Sequence, residues 1–118
     1  MKEFLLLIRQ DADALDNLPP EDLRHHARKF AAYIGSLMKE GKLKSAQPLE
    51  SGGRVVIGRN GVTRDGPFNE SKEVVAGYFL ILADDIEDAV RVARANPVFQ
   101  DIEAMIEVRP IRKMEGIN

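Results

Sequence analysis

Val74-Val75-Ala76-Gly77-Tyr78-Phe79-Leu80-Ile81-Leu82 is the most apolar stretch of the chain. Its length and its β-branched and aromatic content predict a strand. Side chains alternate between the two faces of a sheet. One set is Ala76, Tyr78, Leu80 and Leu82; the other is Val75, Gly77, Phe79 and Ile81. Both sets are apolar, so both faces of this strand call for cover. The run Phe4 to Ile8 reads the same way.

Downstream, Asp84 and Asp85 open a helix, with Glu87 in capping-box position after Asp84. Ile86, Ala89, Val90 and Ala93 give its apolar face, Pro97 closes it, and Ala104 to Ile111 is a last strand. Upstream, Asp65-Gly66-Pro67-Phe68 is a turn. Before it, Arg54 to Arg59 and Val62 to Arg64 flank Asn60-Gly61, a hairpin signal because both residues tolerate positive φ. Ser51-Gly52-Gly53 separates that hairpin from a strand over Leu43 to Leu49. Earlier still, Pro19-Pro20-Glu21-Asp22 opens a helix running to about Glu40 and ended by Gly41. Leu23, Ala27, Phe30, Ile34 and Leu37 form its apolar stripe.

The order is strand, helix, strand, hairpin, strand, helix, strand. It predicts an α+β domain spanning residues 1–118, with two helices on one face of a sheet. The other apolar face, chiefly on the evidence of Val75, Phe79 and the first strand, predicts a homodimer packed sheet to sheet by twofold symmetry.

The chain has 118 residues, 17 basic and 19 acidic side chains, and no cysteine. Disulfides, thiolate metal sites and cysteine nucleophiles are excluded, which fits a cytoplasmic setting. The near balance of charge argues against nucleic acid as a partner, and no apolar run approaches a membrane span. Asp11, Asp13 and Asp16 lack the glycine and closing glutamate of a calcium loop.

Four groups are candidates for chemistry. His26 borders the apolar stripe of the first helix and Tyr33 shares that border, whereas His25 points away. An imidazole and a phenol could face one ligand there, His26 shuttling a proton; otherwise His26 is a packed boundary residue. Asp65 and Phe68 belong to a turn in which the carboxylate bonds backbone N–H groups and the ring drops into the core; the same loop could line a cleft, with Asp65 joining His26 in catalysis. Glu107 and Arg109 share a sheet face, where the guanidinium would orient a ligand carboxylate or make a rim salt bridge. Glu70, Lys72 and Glu73 read as a charge network.

The chain resembles the DGPF branch of the YCII-related family. The resemblance runs through Met1-Lys2 and Phe4-Leu5-Leu6-Leu7, Pro20-Glu21 and Gly41-Lys42-Leu43. It continues through Asp65-Gly66-Pro67-Phe68 with Glu70, Lys72 and Glu73, then Gly77-Tyr78 and Glu107-Val108-Arg109-Pro110. It implies a ferredoxin-like fold that dimerises as an α+β barrel. Some relatives look like small-molecule enzymes acting on aromatic breakdown products, and others are associated with sigma factors. In a shorter branch, a first-helix histidine and an aspartate look like an acid–base pair. Counting back from Gly41 aligns that histidine with Phe30, so the pair is not carried over.

Two functions stay open. One is a binder or enzyme for a small carboxylate or aromatic metabolite in a cleft between sheet and first helix. His26, Tyr33, Asp65 and Arg109 supply its polar groups, and these residue types support a lyase or isomerase proton transfer with no cofactor or metal. The other is a non-catalytic dimeric sensor, or a module associated with transcription components.

Overall fold

The computed structural model of the chain describes residues 1–66 and 73–118. Phe68, Glu70 and Lys72, read above as a core ring and a charge network, lie outside the described residues. The two apolar runs become the two central strands of one antiparallel sheet. β1 (Lys2–Asp11) and β5 (Glu73–Ala83) pair along their whole length, β2 (Leu43–Pro48) flanks β5, and β6 (Ala104–Pro110) flanks β1. The order β2-β5-β1-β6 is that of a ferredoxin-like α+β fold. A second sheet is the hairpin of β3 (Val55–Arg59) and β4 (Val62–Gly66), turned by Asn60 at φ 54° and Gly61 at φ 79°. Both turn residues take the positive φ that their identity invites.

The helices are α1 (Pro20–Lys39), α2 (Ile86–Arg94) and a short α3 (Val98–Asp101). They pack on the sheet face carrying Phe4, Leu6, Ile8, Phe79 and Ile81, where Leu37 of α1 and Ala89, Val92 and Ala93 of α2 complete the core. Phe79 is only 3% exposed there. It therefore cannot face a second copy across the open side of the sheet, as the sequence reading had it. Val75 pairs with Arg9 beyond an irregularity at Ile8/Arg9, and Arg9 alternates with Leu5 and Leu7 on the open face.

Local chemistry explains the ends. α1 stops in a Schellman turn: Gly41 takes φ 71°, its N–H reaches the Met38 carbonyl, and the Lys42 N–H reaches that of Leu37. α2 starts at Asp85, not Asp84. Asp85 Oδ1 accepts from the Asp88 N–H at 2.8 Å, and Asp88 Oδ2 accepts from the Asp84 N–H at 3.0 Å. The cap is thus one residue later than the predicted one, with Asp88 rather than Glu87 three residues after it, and the Asp88 carboxylate reaches back to the N–H of Asp84, the residue before the cap. Pro97 does not simply end a helix; it opens α3. Among the described residues, no helix is long and apolar enough to cross a membrane.

The hairpin stands apart. Val56 and Val62 are 68% and 74% exposed, and Val55 and Ile57 are exposed as well. The molecule measures 46 × 42 × 19 Å with a radius of gyration of 16.2 Å. A compact chain of this length has a radius of about 13.5 Å. The excess fits an arm projecting from the body.

Candidate functional site

The first helix presents a stripe that overlaps the predicted one. Phe30, Ile34 and Leu37 are buried or half-buried as predicted, Leu23 and Ala27 are exposed, and His26, Lys29 and Tyr33 are also buried or half-buried. The stripe is thus rotated so that His26 lies within it. His26 is 6% exposed and His25 is exposed.

A buried imidazole needs partners. His26 Nδ1 lies 2.6 Å from Oδ2 of Asp101, on α3. Oδ1 of the same carboxylate accepts from Lys29 Nζ at 3.0 Å, and Lys29 also reaches Gln100 Oε1 at 3.1 Å. The hydrogen bond from His26, and after it that from Lys29, hold the Asp101 carboxyl below its usual range. An ionised carboxylate only accepts, so Nδ1 carries the proton between them, and in the neutral form of the ring Nε2 holds a lone pair. Among the described residues, no enclosed side-chain nitrogen or oxygen lacks a partner. Nε2 makes no hydrogen bond, so it must open on accessible space.

A cavity of about 360 Å³ lies between α1 and the sheet. His26, Ala27, Phe30 and Ile34 line it from α1, Ile8, Ala76, Gly77 and Phe79 from the sheet, Ala46, Gln47 and Pro48 from β2, and Leu15 and Val98 from loop and α3. Its volume suits a small ligand. His26 stacks on Phe30 with ring centroids 6.0 Å apart, and Phe30 meets Phe79 edge to face at 5.8 Å. Gly77 is required in this wall, because a Cβ there would lie 2.9 Å from the backbone oxygen of Gln47.

The other candidates sit elsewhere. Tyr33 donates its hydroxyl to the Val92 carbonyl at 2.6 Å, and burial pushes its phenol well above the usual range. That carbonyl is one of the last of α2, where backbone acceptors lack helical partners. Tyr33 therefore closes a helix end and shares no ligand with His26. Asp65 is on the hairpin arm and pairs with Arg54 across it at 3.1 Å, half exposed. Arg109 is on the open face of the sheet, opposite Leu5, and donates to Glu107 Oε2 at 3.0 Å. Arg9 approaches the other oxygen of Glu107 at 3.4 Å. Ile106 and Val108 do face the helices, so the whole thickness of the sheet separates Arg109 from His26. Periodicity fixed the face of each residue correctly but joined faces that the sheet divides.

Asp101 was missed. Its signal was Asn96-Pro97, which opens a helical turn as readily as it ends one. Asn96 Oδ1 accepts from the Val98 N–H at 2.9 Å and holds that turn in place.

A second cavity of about 360 Å³ is lined by Arg9, Gln10, Asp11, Glu73, Glu103, Ala104 and Met105. It is bounded largely by carboxylates and lacks an imidazole. Among the described residues, no group of three or more His, Asp or Glu side chains is placed to hold a metal ion.

No curated protein matches the chain. A family model, that of the YCII-related domain, matches residues 2–115. Of the tetrapeptide that suggested the DGPF branch, only Asp65 and Gly66 are among the described residues. With the match spanning almost the full length of a ferredoxin-like chain, this protein belongs to the YCII-related domain family.

Proposed function

We propose that this domain binds a small apolar metabolite in the cavity between α1 and the sheet, and that His26 acts there as a general base oriented by Asp101. The observation that carries the reading is a buried imidazole that lines an apolar cavity, with one nitrogen held by a carboxylate and the other without a hydrogen-bond partner. Asp101 fixes the tautomer and stabilises the imidazolium that forms when Nε2 takes a proton. Such a pair suits a lyase or isomerase step. Asp65 and Arg109 play no part in it, and Tyr33 contributes only by packing.

The same reading takes the chain as a homodimer. Leu5, Leu7, Tyr78, Leu80 and Leu82 line the sheet face away from the three helices, and a twofold partner would cover it.

The test is an NMR titration of both imidazoles with naphthol. The His26 ring resonances move as the cavity fills, and those of His25 stay still. A stationary His26 overturns the assignment. A second reading, a non-catalytic module docking another protein, draws on the bare Val56 and Val62 of the hairpin. It requires that the cavity take up no aromatic probe.

A further inference from the structure

The polar groups around the cavity say what kind of ligand it accepts. None of its described lining residues is Lys, Arg, Asp or Glu. The nearest cation to His26, Lys29, is engaged by Asp101 and Gln100. Arg9 and Arg109 lie across the sheet and are tied to Glu107. Among the described residues, the charge in contact with the imidazole is that of half-buried Asp101, which repels an anion. An ionised carboxylate entering this space would lose its water and meet no counter-charge among the described lining residues, which is the costliest form of burial.

A neutral hydroxyl meets the opposite situation. In the neutral ring Nε2 is an acceptor with no hydrogen-bond partner, on a side chain more than nine-tenths buried. A donor O–H supplies its missing hydrogen bond without importing charge. Phe30 and Phe79 line the same cavity, and aromatic side chains pack favourably against a planar ligand.

Resting on the assignment of His26 as the base, we infer that the ligand class is a neutral aromatic or enolic alcohol whose acidic O–H donates to His26 Nε2, and not a carboxylate. If the proton transfers, the O–H bond breaks and an Nε2–H bond forms. The charge left on oxygen spreads into the conjugated ring, and the imidazolium is balanced by Asp101. No other reactant is needed.

Three naphthyl probes of one shape test this at neutral pH: naphthol, the corresponding naphthoate and methylnaphthalene. The chain has no tryptophan, so naphthyl emission can be followed directly. The expected order is naphthol tightest, with naphthoate at least about tenfold weaker, since a site left with an unmatched polar group discriminates strongly. His26→Phe keeps a ring in place and brings naphthol down to the affinity of methylnaphthalene, whose own binding is unchanged. Naphthoate binding as tightly as naphthol, or naphthol binding no better than methylnaphthalene, overturns the ligand class while leaving a ligand-binding cavity. Failure of all three to bind overturns the cavity reading and this inference together. If His26→Phe does not fold, the ranking on the unaltered chain still decides.

Discussion

Asp88 and Tyr33 show how single side chains carry stability that their sequence neighbours do not announce. Asp88 accepts from the Asp84 N–H and from Lys42 and Arg91, and these bonds, the backbone one foremost, lower its carboxyl from 3.8 to about 2. A depressed carboxyl contributes stability that is complete above its unfolded value and is lost as pH falls through the folded one. Asp88→Asn should therefore lower the urea midpoint at neutral pH, and the gap from the parent should close as pH falls from the unfolded value towards about 2. Tyr33→Phe leaves the Val92 carbonyl without its donor. It should cost about 1 kcal/mol in urea unfolding and leave the His26 imidazole resonances where they were. At this scale the sequence was legible where one face decides the outcome. His25 was placed in solvent and His26 at the border of the apolar stripe from angle alone. Asp101 was not legible as the partner, because a contact between residues 75 apart follows from no local period.

Among the elements, turns and caps were the most readable, since they depend on local φ and short hydrogen bonds. Gly41 and Asn60-Gly61 fall where their chemistry requires. The cap of α2 was read one residue early because adjacent aspartates offer two frames, and only the Asp88 bond selects between them. Asp85→Ala should destabilise by about 1 kcal/mol, the usual loss for an N-cap, whereas Asp84→Ala should cost much less, as its side chain caps nothing. Gly77→Ala is the sharper test of how β2 approaches β5. The added methyl meets backbone at 2.9 Å, so β2 must shift, at a cost of about 1–3 kcal/mol. Thermal melting resolves both effects. Conversely, Asp65→Ala should cost less than about 1 kcal/mol, because an exposed ion pair contributes little. A turn carboxylate bonded to backbone would have cost more, which is what the sequence suggested.

For the whole molecule, the order of strands and helices predicted an α+β domain with its helices on one face of a sheet, and the sheet order agrees. What the sequence left ambiguous was which side the helices take. Alternation gives two equivalent sets, and only packing against Leu37, Ala89 and Val92 assigns Phe79 to the inner one. The open side, with Leu7 and Leu80, is the face that the proposed partner copy would cover. Sedimentation should give the dimer mass, and Leu80→Asp should shift it to monomer, because an unpaired charge in such an interface costs about 3–5 kcal/mol. A parent chain sedimenting as monomer at high concentration would remove the face-to-face arrangement.

The strand order also governs how the chain is made. β1 is made before the strands it pairs with, for its neighbours are β5, beginning at Glu73, and β6, beginning at Ala104. β2 likewise has β5 as its only partner in the sheet. During synthesis the Phe4–Ile8 run therefore waits without a strand beside it, the kind of exposed apolar segment that chaperones shield. The first pairing open to the nascent chain is β3 with β4, the one ladder not joined to the main sheet. A chain stalled before Glu73 would hold a closed hairpin and no sheet. Release of β5 then supplies the missing edge to β1 and β2 together, so assembly is delayed and abrupt, and depends on one late segment.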